Sequence, residues 1–101
     1  MGEKRLSDYL KPGRTAWSDA YHDNGVGDPY ACIVCGKRAS DNAIWVILGG
    51  GGDTLILPEN DEEAMETDSG YMGWHVLGPE CGRDVPQRYR ANPNIITGGQ
   101  P

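Results

Sequence analysis

Cys32-Ile33-Val34-Cys35-Gly36 decides how this chain is read, because two thiols three residues apart with a glycine behind them form a chelating turn. The third and last cysteine lies in His75-Val76-Leu77-Gly78-Pro79-Glu80-Cys81-Gly82. A closed tetrahedral zinc site takes four nitrogen or sulfur donors. Cys32, Cys35 and Cys81 supply three thiolates, and His75, six residues before Cys81 on an expected strand, is the best-placed fourth donor. His22, ten residues before Cys32, is the runner-up.

Composition argues for such a cross-link. With 101 residues, 38% of them hydrophobic and no phenylalanine, the chain builds one domain with a thin apolar core. Three cysteines cannot be fully paired within one chain, which argues against a secreted disulfide scaffold. The opening Met1-Gly2-Glu3-Lys4-Arg5-Leu6-Ser7 lacks the apolar core of a signal peptide. No apolar run approaches the roughly 20 residues that span a bilayer, so a cytoplasmic protein without a membrane partner is expected.

Charge is unevenly spread. All nine Lys and Arg lie in residues 4–38 or 83–90, whereas residues 39–82 hold nine Asp and Glu and no Lys or Arg. The middle segment therefore carries −9 and the flanks +3, within a net charge of −6. Duplex nucleic acid is disfavoured as a partner, since affinity there rests on neutralising phosphates. A basic protein fits better.

The chain divides into a 1–29 arm with short helices, a 30–91 metal-binding domain and a 92–101 flexible tail. Leu6, Tyr9 and Leu10 have helical spacing behind Ser7, and Pro12-Gly13 ends that segment. Thr15 is a candidate cap for a second short helix that places Trp17, Ala20 and Tyr21 on one face and stops at Asn24-Gly25. Ala43 to Leu48 and Thr54 to Leu57 read as strands joined by the glycine-rich run 49–53 into a hairpin. Tyr71 to Leu77 reads as a third strand, with Tyr71, Gly73, His75 and Leu77 on one face and Met72, Trp74 and Val76 on the other. Pro79 then opens a helix over about 80–90 that places Cys81, Val85 and Tyr89 on one face, with Pro86 kinking or splitting it. Cys81 in its first turn would gain from the helix dipole.

This order, a Cys-x-x-Cys turn, a hairpin, a further strand and a ligand opening a helix, resembles a treble-clef zinc finger. The fold class is thus α+β, a small zinc-stabilised domain with a short helical arm. More narrowly, Cys32-Ile33-Val34-Cys35-Gly36 with Val76-Leu77-Gly78-Pro79-Glu80-Cys81 resembles the Cys-x-x-Cys-Gly and Val-Gly-x-x-Cys pattern of small zinc-finger proteins of actinobacterial phages. The resemblance covers residues 30–90 and implies a structural zinc ion in a phage protein acting in a host cytoplasm. The acidic insertion, and a histidine where many such fingers use cysteine, depart from the pattern.

Other chemistries have weaker footing. The glycine run lacks the Lys and Ser or Thr of a phosphate-binding loop. Residues 58–70 lack the alternating oxygen ligands and central glycine of a calcium loop, and read as a solvated acidic segment with a helical turn. Gly36 to Asn42 does not look like the helix that follows a thioredoxin-type cysteine pair. Glu80 beside Cys81 is a candidate general base for a catalytic zinc, but three thiolates and a histidine close the site. The expectation is a non-enzymatic interaction module that binds a host protein through Trp17, Trp45, Trp74 or the acidic residues Glu62, Glu63 and Glu66. The alternatives are nucleic-acid binding through Lys37, Arg38, Arg83, Arg88 and Arg90, and phosphate mimicry by residues 59–68.

Overall fold

The computed structural model describes residues 4–39 and 42–91. Within them the chain is a small α+β structure around an antiparallel sheet. The apolar run makes the central strand β1, Ile44–Gly49. It pairs on one side with β2, Thr54–Ile56, placing Ile47 opposite Ile56 and Leu48 opposite Leu55. On its other side lies β3, Gly73–Leu77, with Ile44 opposite Leu77 and Val46 opposite His75. A two-residue strand β4, Arg90–Ala91, sets Ala91 opposite Trp45. The hairpin and third strand of the sequence are therefore present, and β4 is an addition.

Period-two alternation gives the sheet two different faces. Val46, Leu48, Leu55 and Leu77 look into a core cluster that also takes Leu6, Cys32, Ile33, Cys81, Val85 and Tyr89. Ile47, Ile56 and Ala91 look the other way, against Trp45, Ala64, Tyr71 and Trp74. As expected, His75 and Trp74 point to opposite faces. Tyr71 departs from its expected face and joins Trp74, because it precedes the strand and escapes its alternation.

The amino-terminal segment is built into the first face. Leu6–Tyr9 form a single 3₁₀ turn whose Leu6 is wholly buried. Arg5 bridges Thr54, and the Leu6 amide donates to the Asp53 carbonyl at 2.7 Å. The second helix, α1, runs Asp19–Asn24 and ends at Gly25. Its cap is Ser18, whose hydroxyl accepts from the Tyr21 amide at 3.1 Å, and not Thr15. Trp17 therefore lies outside the helix, in the left-handed region at φ 56°.

The acidic segment folds as a 3₁₀ turn, Pro58–Asn60, leading into α2, Asp61–Thr67. Asp61 accepts from Tyr71 Oη at 2.5 Å and from Trp74 Nε1 at 3.2 Å, which fastens α2 to the second face. Burial and this carboxylate push the Tyr71 phenol up to about 12.

The helix expected over 80–90 is not formed. After β3 the chain makes one helical turn, in which the Gly82 amide donates to the Gly78 carbonyl at 2.9 Å, then a tighter turn to Val85. A short 3₁₀ segment, Gln87–Tyr89, follows before β4. Pro86 lacks the amide that would continue the ladder, and Gly82 is a poor helix former. Cys81, Val85 and Tyr89 are still all buried, as their spacing suggested, but by successive turns. The predicted tail over 92–101 lies outside the described residues.

Candidate metal centre

The first half of the centre is a tight turn at residues 31–38, closed by a bridge between Ala31 and Arg38 and by Cys32 N–H to Lys37 O at 2.9 Å. Gly36 returns its amide to Cys32 O at 2.8 Å with φ of 78°, in the region that glycine occupies freely. The turn is docked twice. Ile33 N–H donates to Val76 O of β3 at 3.2 Å, and Ser18, the cap of α1, donates its hydroxyl to Val34 O.

The second half is the single turn that carries Cys81. Gly82 is required there, since a Cβ at this position would lie 2.9 Å from Leu77 Cβ and 3.1 Å from Ile44 Cδ1. The turn thus presses on the sheet and aims Cys81 back at the first half.

The Sγ atoms of Cys32, Cys35 and Cys81 lie within 4.8 Å of one another. A zinc ion bound at about 2.3 Å to each of three tetrahedral sulfurs holds them roughly 3.8 Å apart, so the cluster accommodates one ion with little adjustment. Cys32 and Cys81 are buried and Cys35 is half-buried. The amides of Val34 and Cys35 point at Cys32 Sγ from 3.4 and 3.5 Å, the outer-sphere donors a metal-bound thiolate uses.

Electrostatics distinguish the thiols. Burial opposes ionisation of Cys32, but the Cys35, Gly78 and Val34 amides together hold it below the ordinary thiol value. Cys81 is pushed up to about 12, first by burial and then by Cys32 and Cys35 beside it. The helix-dipole assistance expected for Cys81 does not arise, because no helix starts there.

Neither histidine joins the cluster among the described residues. His75 lies on the first face of β3, but its Nε2 is within 2.8 Å of the Met72 carbonyl and its ring packs edge-on to Trp17 at 4.7 Å. Burial holds it below its ordinary value and the Met72 carbonyl opposes this in part. His22 Nδ1 is engaged at 2.9 Å with Ser18 O on the exposed side of α1. Spacing along the chain could not tell that Trp17 and Met72 take the side chain first favoured as the fourth ligand.

Arg14 is the contact that the sequence did not signal: its Nη1 donates to Cys81 Sγ at 3.3 Å across 67 positions. Beside it opens a cavity of about 310 Å³ whose wall includes Cys35, Cys81, Lys37, Arg38 and Glu80.

The residues expected to meet a partner are scattered. Trp17 is half-buried, and its Nε1 donates to Gly52 O at 2.8 Å. Trp45 and Trp74 pack at 6.5 Å on the second face, with Tyr30 6.0 Å from Trp45. Glu62, Glu63 and Glu66 are exposed along α2. Of the basic candidates, Arg38 is held by Asp28 through two contacts of 2.9 Å and stacks on Tyr30, while Arg90 donates to the Val85 and Arg83 carbonyls. Lys37, Arg83 and Arg88 are exposed, Arg88 lying over the Tyr89 ring.

No helix among the described residues is long and apolar enough to cross a membrane. Compared with protein-family models, with curated proteins and with solved structures, the chain matches none.

Proposed function

We propose that the chain is a non-enzymatic interaction module in which Cys32, Cys35 and Cys81 hold one zinc ion as thiolates. The carrying observation is the convergence of these three sulfurs from two turns within 4.8 Å. A treble-clef reading is supported by the Cys32–Cys35 turn, the hairpin and the third strand, with a single turn at Gly78–Gly82 where the helix of that fold would stand. Zinc is favoured over harder cations because thiolate donors select it.

The partner-binding surface in this reading is the second face and its rim, where half-exposed Trp45 and Trp74 lie beside α2 with its acidic Glu62, Glu63 and Glu66. The resemblance to phage zinc-finger proteins supports a host protein in the bacterial cytoplasm as the partner. Nucleic-acid binding is less well supported, because Arg38 and Arg90 are already engaged within the molecule.

Elemental analysis of the purified chain and its variants tests the metal. About one zinc per chain is expected, lost in Cys35→Ser and Cys81→Ser and retained in His75→Ala and His22→Ala. A folded wild-type protein without zinc, or a zinc content indifferent to the cysteines, overturns the reading. For the surface, Trp45→Ala combined with Glu62→Gln, Glu63→Gln and Glu66→Gln is expected to abolish capture of the host protein while zinc content stays unchanged.

A further inference from the structure

The three-thiolate cluster leaves one corner of a tetrahedron to be filled, and its surroundings are chemically one-sided. Cys35 and Cys81 line the cavity of about 310 Å³, and around them stand the cationic side chains of Arg14, Lys37 and Arg38 against one carboxylate, Glu80. Among the described residues no histidine, cysteine or carboxylate joins the cluster as a fourth ligand.

We propose that the metal ion keeps its fourth position for an external oxyanion, a phosphate or carboxylate group, admitted through this cavity and held by Arg14 and Lys37. This rests on the three-thiolate metal site above. A dication with three thiolates carries a net charge of −1, so an anionic fourth ligand needs compensation from the wall. Arg14 is placed to provide it, since its guanidinium touches Cys81 Sγ and lines the same cavity. A planar guanidinium offers several donors, so that one can remain on sulfur while another meets an oxyanion. Lys37 is exposed at the mouth and supplies a mobile point charge. Arg38 adds less, because Asp28 already neutralises much of its charge. The cavity, about 310 Å³ and open to solvent, is far larger than a water molecule and has room for a phosphate or carboxylate group. Such a site turns a structural ion into a recognition point, and gives the interaction module an acidic or phosphorylated group to read.

Cobalt substitution of the full chain tests this, because cobalt reports thiolate ligation through charge-transfer absorption and its fourth ligand through the d–d bands. Charge-transfer bands are expected on adding cobalt alone. Titration with inorganic phosphate, and separately with acetate, is then expected to shift the d–d bands to saturation, the stronger response naming the class of oxyanion. Lys37→Gln, which touches no thiol, should weaken the phosphate response about tenfold at unchanged charge-transfer intensity, the loss expected of one charge-assisted contact. Arg14→Gln should weaken it at least as much. If neither anion moves the d–d bands while Glu80→Gln does, the fourth donor belongs to the chain and the proposal is wrong. Bands that respond to none of these also overturn it. Absence of any cobalt–thiolate charge transfer is a different result, and removes the metal site itself.

Discussion

His75 shows how much a single side chain's chemistry depends on where its neighbours stand. Its place on β3 beside the cysteines made it the natural fourth ligand, yet it is spent on the Met72 carbonyl and on Trp17. Burial depresses its folded value below the ordinary 6.5, so the neutral ring is favoured in the folded protein. The contribution to stability is therefore complete above the unfolded value and is lost as pH falls through the folded one. Thermal unfolding followed from neutral pH to below about 6.5 should show wild-type stability declining more steeply than that of His75→Asn. Equal slopes would mean that His75 does not titrate against burial. The convergence of the cysteines was thus legible, because the spacing of Cys32 and Cys35 makes a chelating turn by itself, whereas the place of the histidine was not, since it depends on Trp17, 58 positions away, and on a backbone carbonyl.

Among the elements, the two turns that carry the thiols matter more than the strands between them. The strands were legible because a β-branched and aromatic run with two-residue alternation has one good solution, a half-buried sheet. The segment after β3 was not. Cys81, Val85 and Tyr89 repeat every four residues, and three unconnected turns satisfy that period as well as a helix does. At the other turn, Gly36 has positive φ, and a methyl group there would also press into the Ala20 carbonyl of α1. Gly36→Ala is expected to cost more than about 1 kcal/mol, the ordinary penalty for a side chain in the left-handed region, with the clash added. Because Gly36 holds Cys32 and Cys35 in register, the same variant should also bind zinc more weakly in competition with a chromogenic chelator. A loss of stability with undiminished zinc affinity would separate the turn from the metal.

At the scale of the whole molecule, the cysteine cluster is not an appendage. Cys32 and Cys81 belong to the same buried cluster as Leu6, Val46, Leu48 and Leu77, so the sheet's first face and the amino-terminal segment close over the thiols. Leu6→Ala, which opens a cavity in that cluster, should destabilise by about 2–5 kcal/mol although Leu6 lies in a stretch that sequence alone marks as an arm. The second face is a separate cluster of Ile47, Ile56 and Ala91 with the two tryptophans, and touches no thiol. Removing the proposed zinc ion should therefore act unevenly. A ligand that binds only the folded state adds about 4 kcal/mol when its free concentration is a thousandfold above Kd, a large part of the 5–15 kcal/mol typical of a domain. Chelation is expected to lower the unfolding temperature and, below it, to release the turn at residues 31–38 first. By hydrogen exchange, the amides of Cys32 and Gly36, bonded across the turn to Lys37 and Cys32, should lose protection on chelation. Those of β1, bonded across the sheet to β2 and β3, should keep theirs until the whole chain unfolds. Uniform loss across both sets would mean that the ion and the sheet form one cooperative unit, and that the tryptophan face also depends on the metal.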